Sequence, residues 1–388
     1  EVRAETLAFG QPDLERRIDR LETSVKALRA AAPRGEGRRQ LAEVYADLGE
    51  PLEALRSAIE ELRQALDELA GASAELGKLH ERLTGAGERL AVLIGEETWD
   101  GLRWLETAPR SLRINLTPLD VSTNLRGLID GGQQAWVFTS ATLAVGEDFS
   151  HFASRMGLGG VSGLTFPSPY ALETNGLVYL PPDLPPPSDA GHTDAVCDAV
   201  MPLLEMTAGG MFCLFTSHRA LQAASAWCRS HRKRLRGRRL LVQGSAPRDD
   251  LLRRFRDAGD AVLLGTGSFW EGVDVRGPAL TIVVIDKLPF ASPADPLMMA
   301  RLEFIRRQGG NGFSSHQLPQ AVLALKQGAG RLLRDQHDFG VVVLCDPRLT
   351  SRSYGRTFLD SLAPMPTTQS IEDVRRFLGT HEREGAVA

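Results

Sequence analysis

Residues 261–274 read Ala-Val-Leu-Leu-Gly-Thr-Gly-Ser-Phe-Trp-Glu-Gly-Val-Asp, an apolar run that gives way at once to glycine, hydroxyl and carboxylate residues. A run this short and this apolar reads as a strand covered on both faces, as in a parallel sheet packed between helices. In open sheets of that kind ligands bind beyond the carboxyl ends of the strands, so the polar residues directly after each apolar run carry the chemistry. Here three glycines, two hydroxyls, two aromatics and two carboxylates fall within residues 265–274. Glycines let backbone N–H groups approach a phosphate. Phe269 and Trp270 either pack behind the loop or support bases.

Outward from this stretch, from about residue 100, apolar strand candidates alternate with helical segments. They are Ala135–Thr139, Gly176–Leu180, Met211–Thr216, Leu240–Val242, Ala261–Gly265, Leu280–Ile285 and Gly340–Cys345. Strand-helix-strand alternation argues for an α/β fold with a parallel sheet. The stretch Pro181–Pro187, five of whose seven residues are proline, is a stiff connector after the first strand of a second domain. Residues 371–378 read as a last helix docked on that domain. Residues 11–97 carry almost no strand signal; Leu14, Ile18, Leu21, Val25 and Leu28, then Leu55, Ile59, Leu62, Leu66 and Leu69, recur at the spacing of amphipathic helices. Breaks at 33–37, 49–51 and 85–87 are expected to divide them into helices of an antiparallel bundle or hairpin.

A chain of 388 residues, 43% hydrophobic, can bury a large core and suggests two or three domains. The net charge of -4 leaves any nucleic-acid contact to local basic patches. Arg229–Arg239 is the densest charge run, either a set of phosphate contacts or a solvated helix end and loop. No apolar run is long enough to span a bilayer, and the start, Glu1-Val2-Arg3, has no signal pattern. The expectation is a cytoplasmic protein, without a membrane partner, whose upstream part lies outside this sequence. The four cysteines show no C-x-x-C pair or zinc-finger spacing, so no structural or cluster metal is expected, and Cys213 and Cys345 read as small buried hydrophobes.

Two further strand ends release small hydroxyls: Thr139-Ser140-Ala141-Thr142-Leu143 and Thr216-Ser217-His218-Arg219. Such residues can bond phosphate oxygens without filling a cleft, or simply cap helices. In Gln327-Gly-Ala-Gly-Arg331-Leu-Leu-Arg334 the two arginines are three apart. If helical, that spacing puts both guanidinium groups on one face, where they can neutralise charge on a transferred phosphoryl group.

Taken in order, TSATL (139–143), LFTSHRAL (214–221), Gln243-Gly244, GTGSFWEGVDVRG (265–277), the run from Ile285 to Leu297 containing Asp286-Lys287-Leu288-Pro289-Phe290, and QGAGRLLR (327–334) resemble the later motifs of the DinG/YoaA branch of the XPD-like superfamily 2 DNA helicases. The resemblance covers roughly 100–375. It implies an α/β fold: residues 1–99 as an all-helical, Arch-like region, 100–172 as the C-terminal end of a first RecA-like motor domain, and 173–388 as the second. It also implies that Thr139, Ser140 and Thr142 couple ATP hydrolysis to DNA movement. Thr216, Ser217, Thr266 and Gly267 would face the phosphates of single-stranded or forked DNA. Glu271, Gly272 and Asp274 would line the ATP cleft. Gln327, Arg331 and Arg334 would reach the γ-phosphate, the arginines as fingers, in an enzyme of 5′ to 3′ polarity serving repair or replication.

A complete motor also needs a G-x-x-x-x-G-K-[ST] loop and an acidic pair to hold Mg²⁺. Neither is in this sequence: Gly71 to Gly77-Lys78-Leu79 has the wrong spacing and ends in Leu, and Asp67-Glu68 follows no strand. The family's iron-sulfur cysteines are missing too. The ATP and Mg²⁺ site would therefore be shared with a missing first-domain segment, the 4Fe-4S cluster would belong to the parent protein only, and this chain alone would be inactive. The competing readings are a non-catalytic DNA-binding or interaction module and a helicase domain serving a fused nuclease.

Overall fold

The computed structural model describes residues 12–69, 73–95, 101–109, 111–269 and 275–385. The chain divides into two compact units, Glu1–Leu125 with Ser292–Gly312, and Arg126–Ala291 with Phe313–Ala388.

The first unit is built on helices α1 (Pro12–Ala31), α2 (Leu41–Asp67) and α3 (Ala74–Ile94). Leu14 and Ile18 cluster with Leu62, Leu66, Leu76 and Leu79, while Leu28 clusters with Leu41, Val44, Leu48 and Leu90, so α2 runs antiparallel to both neighbours. Two expected breaks do not break. Helix α2 continues through Pro51; the lost backbone hydrogen bond is offset by Leu48 and Leu52, both fully buried. Helix α3 continues through Gly85–Gly87, and a Cβ on Gly87 would sit 3.4 Å from Ile59 Cγ2, so the missing side chain lets the two helices approach.

The third break, at 33–37, leads into strand β1 (Gly37–Gln40), which pairs antiparallel with β2 (Gly101–Ala108); β2 pairs antiparallel with β3 (Ser111–Pro118). Gly-Arg-Arg-Gln has no apolar alternation to announce a strand; β1 exists because a neighbour supplies its ladder. The parallel sheet expected from about residue 100 therefore begins later, and residues 101–118 are antiparallel. Arg38 of β1 lies over the Trp104 ring, 5.0 Å from its centroid, and donates to Glu106 and to Asp295 at 3.2 Å each. Asp295 in turn caps the helix Pro296–Arg307, accepting from the N–H groups of Leu297 and Met298.

The second unit is a seven-stranded sheet of β4 (Gly176–Tyr179), β5 (Gly210–Leu214), β6 (Leu240–Val242), β7 (Val262–Gly265), β8 (Leu280–Ile285), β9 (Gly340–Leu344) and β10 (Thr367–Thr368). Their order is β10-β4-β9-β8-β5-β7-β6, and every pairing is parallel. Alternation along each strand divides the apolar runs between two faces. Phe212, Leu214, Leu263, Val283, Ile285, Val342 and Leu344 pack against the helices Arg248–Ala258 and Leu318–Ala329. Met211, Cys213, Val262, Leu264, Ile282, Val284, Val341 and Val343 pack against His192–Val200, His218–Ser230 and Ile371–Gly385. All four cysteines are buried on this second face, and burial pushes the thiols of Cys213 and Cys345 well above the ordinary range.

Six of the seven expected strands form. Ala135–Thr139 does not: it lies outside every strand, with Trp136 and Val137 exposed, Val137 at 83%. A strand needs a ladder partner, and no described strand offers one.

At the head of β9, a Cβ on Gly340 would collide with the Thr281 carbonyl oxygen and crowd Leu332. Gly340→Ala should cost about 1–3 kcal/mol through forced repacking. The expected result is a lower urea midpoint with an unchanged slope, as only stability is altered; an unchanged midpoint would show that β9 tolerates the shift.

Candidate functional site

Because the sheet is covered on both faces, its polar residues collect at the ends of the strands, several of them at the carboxyl ends. After β5, Thr216 donates its backbone N–H to Asp286 Oδ1, at the end of β8, at 2.9 Å. Its own hydroxyl is buried without a hydrogen-bond partner. Ser217 caps the helix His218–Ser230, its Oγ accepting from Ala220 N at 3.2 Å; the helix N-terminus at this point is a place where backbone N–H groups favour an anion. After β7, Thr266 donates its N–H to Gln243 Oε1 at 2.6 Å and its hydroxyl to the same oxygen at 3.2 Å. His218 Nε2 stands 3.5 Å from the Thr266 hydroxyl. The ends of β5, β6 and β7 are thus linked through side chains, and Thr216, Ser217, Thr266 and the exposed Gly267 all lie on this edge.

Phe269 is fully buried, edge-on to Phe212, with the Arg248 guanidinium 5.7 Å from its centroid. Of the two readings open to it, core packing is the one that holds. Trp270 and the cleft candidates Glu271, Gly272 and Asp274 lie outside the described residues.

The arginine motif departs from the helical expectation. The helix Leu318–Ala329 ends before Arg331, and the chain leaves it in tight turns, Arg331 N bonding Gly328 O and Leu332 N bonding Ala329 O. Leu332 and Leu333 both turn into the core, and the N–H groups of Arg334 and Asp335 find Asp338 Oδ2, at 2.7 and 2.8 Å, in place of helical carbonyls. The two guanidinium groups therefore do not share a helix face. Arg331 Nε donates back to Gln327 O at 3.1 Å.

Gln327 provides a link of another kind. Its Nε2 donates to Thr142 Oγ1 at 3.3 Å across 185 positions. Thr142 also donates its N–H to Ser140 Oγ at 3.2 Å, the two hydroxyls standing 3.3 Å apart. Ser140 and Thr142 are thereby joined to the segment carrying both arginines; Thr139 is exposed beside them. Three of the seven basic side chains of the run are held by structure: Arg234 pairs with Asp198 and Arg236 with Glu205, both at 2.7 Å, and Arg238 donates to the carbonyls of Leu204, Thr207, Gly209 and Asp260; Arg229, Arg232, Lys233 and Arg239 are exposed.

Three polar residues without an expected role emerge as organisers: Gln243, Asp286 and Asp338. Their common signal is a polar side chain within two residues of a strand that is apolar or nearly so. Asp286 is 3% exposed. Its Oδ1 accepts from both Thr216 N and Lys287 N, and desolvation pushes its carboxyl up from the ordinary 3.8 to about 6.

The Helicase C-terminal domain family matches residues 200–365. The chain is 43% identical over 275 residues to the ATP-dependent DNA helicase YoaA of Escherichia coli (strain K12), covering 71% of this chain and 43% of that protein. To the ATP-dependent helicase DinG of Mycobacterium tuberculosis (strain H37Rv) it is 36% identical over 287 residues, 73% of this chain and 42% of that one. To the 3′-5′ exonuclease DinG of Bacillus subtilis (strain 168) it is 35% identical, covering 69% and 30%. The chain therefore spans less than half the length of each of these relatives. An XPD helicase structure superposes with a TM-score of 0.58 at 17% identity, covering 92% of this chain and 62% of that one. An apo XPD structure gives 0.59 at 14%, covering 92% and 69%. The α/β fold is thus the RecA-like fold of XPD-type structures.

The raised carboxyl of Asp286 has a definite sign. The folded state holds this proton more tightly than the unfolded chain, so its contribution to stability is full below about 3.8 and is lost as the pH rises through about 6. In Asp286→Asn the amide oxygen can still accept from Thr216 and Lys287, and the titration disappears. Wild type should gain on the variant as pH falls from 6 to 4, by up to about 1.4 kcal/mol per pH unit, in urea unfolding. A difference that is flat, or that grows toward high pH, would contradict the burial of an ionisable carboxyl here.

Proposed function

Because this chain belongs to the DinG/YoaA branch of the XPD-like helicases, we propose that it supplies the arginine-bearing half of an ATP site whose phosphate-gripping half lies elsewhere in the full-length protein. Residues 1–99 are the Arch-like region, 100–172 end the first RecA-like motor domain, and 173–388 form the second. Gln327, Arg331 and Arg334 reach the γ-phosphate. Glu271, Gly272 and Asp274 line the nucleotide cleft. Thr216, Ser217, Thr266 and Gly267 hold the phosphates of single-stranded or forked DNA. Thr139, Ser140 and Thr142 pass the state of the ATP site to the DNA. The full-length protein is an ATP-dependent helicase moving 5′ to 3′, in DNA repair or replication.

The observation that carries this reading is the Gln327–Thr142 hydrogen bond, which joins the coupling segment to the segment of the arginines. The apolar surface of Trp136, Val137, Leu164 and Phe166 supports it too: these side chains are 50–83% exposed, and a first motor domain closing over them would bury them. Among the described residues no group of three or more His, Cys, Asp or Glu side chains could hold a metal. On this reading the ATP and Mg²⁺ site is shared with a first-domain segment of the full-length protein, and the iron-sulfur cluster belongs to that full-length protein outside this chain.

Two measurements test the proposal. The purified 388-residue chain should hydrolyse no ATP above background with single-stranded DNA; robust turnover would contradict it. In the full-length protein, Arg334→Ala should lower turnover by roughly 10³-fold or more, as loss of an arginine finger does, while DNA affinity stays nearly intact. Equal loss of both would make the arginine structural.

A further inference from the structure

Asp338 lies two residues before β9 and is 5% exposed. A carboxylate taken this far out of water needs donors on both oxygens, and it has three. Oδ2 accepts from Arg334 N at 2.7 Å and Asp335 N at 2.8 Å; Oδ1 accepts from Gly277 N at 2.9 Å across 61 positions. Its own N–H bonds Asp335 O, closing the turn. Hydrogen bonds to an ionised acceptor are roughly twice as strong as neutral ones. Gly277 has φ +76°, a left-handed conformation that L side chains rarely adopt, so the direction of its N–H depends on its being glycine.

Resting on the helicase reading, we propose that Asp338 is a positioning residue for ATP hydrolysis: it clamps the backbone of Arg334 to that of Gly277 and so fixes the base of the arginine finger. The carboxylate touches neither nucleotide nor DNA. It acts through the place it gives to the Arg334 main chain, from which the guanidinium must span the cleft. A displacement of about 1 Å at such a group can cost on the order of 10²-fold in rate. In Asp338→Asn one oxygen remains an acceptor and the other becomes an NH₂ facing N–H donors, so one side of the clamp must open.

The test uses the full-length protein. In Asp338→Asn, kcat for DNA-stimulated ATP hydrolysis should fall by about 10- to 100-fold, with KM for ATP and single-stranded DNA affinity within about twofold of wild type. Gly277→Ala, which disturbs the other end, should lower kcat in the same way. The double variant should be no slower than the worse single one, since both open the same clamp. Wild-type kcat in Asp338→Asn, a multiplicative loss in the double variant, or a fall of kcat, ATP affinity and DNA affinity in step would each overturn the inference. Should Asp338→Asn fail to fold by circular dichroism, Gly277→Ala alone decides it: a kcat loss at constant KM supports the clamp, and wild-type kcat overturns it. Arg334→Ala separates the two levels. If that variant keeps full turnover the helicase reading fails, and if it loses turnover while Asp338→Asn does not, only the clamp fails.

Discussion

Five parallel strands, β4, β5, β7, β8 and β9, are buried at every position and leave almost no room for polar side chains within the sheet. A polar group there would lose its hydration without a partner. Chemistry is therefore confined to the strand ends. Groups gathered there, partly out of water, must also satisfy one another: at the carboxyl ends Gln243 takes both donors of Thr266 and Asp286 takes the N–H of Thr216, and ahead of the amino ends of β8 and β9 Asp338 takes three backbone N–H groups.

These organisers hold the main chain rather than a ligand. With its backbone fixed by a buried acceptor, a loop presents its remaining groups in one geometry, so little ordering has to occur when a phosphate arrives. Thr216 is placed by its N–H and retains a buried hydroxyl. The arginine loop is fixed at Arg334 N and at Arg331 Nε. The segment 139–143 differs: Ser140 and Thr142 bond each other and Thr142 accepts from Gln327, while Trp136 and Val137 just before them stand exposed. The Gln327–Thr142 hydrogen bond is its tie to the arginine-bearing loop.

The sequence is most legible where local and global demands agree. The six apolar runs that became strands are legible because burial on both faces leaves a pattern that a few residues suffice to show. Strand β1 was not, since its Gly-Arg-Arg-Gln owes its conformation to a partner 64 to 70 positions away. Ala135–Thr139 shows the converse, an apolar run with strand propensity and no ladder. Pro51 and the glycines of α3 misled because buried leucines, and a close helix approach, outweighed local preference. The edge residues could be found from the polar positions directly after each strand. Their division into organisers and presenters could not, because it depends on hydrogen bonds spanning 23 to 185 positions.

The most direct measurement is a structure of the full-length protein with single-stranded DNA and an ADP–metal fluoride mimic of the transferred phosphoryl group. The guanidinium groups of Arg331 and Arg334 should lie within about 3 Å of the mimic's fluorines, with Gln327 beside them and Asp338 still bonded to Gly277 and Arg334. A nucleotide bound with both arginines turned away from the cleft, and held by other partners, would contradict the assignment of this chain as the arginine-bearing half of an ATP site.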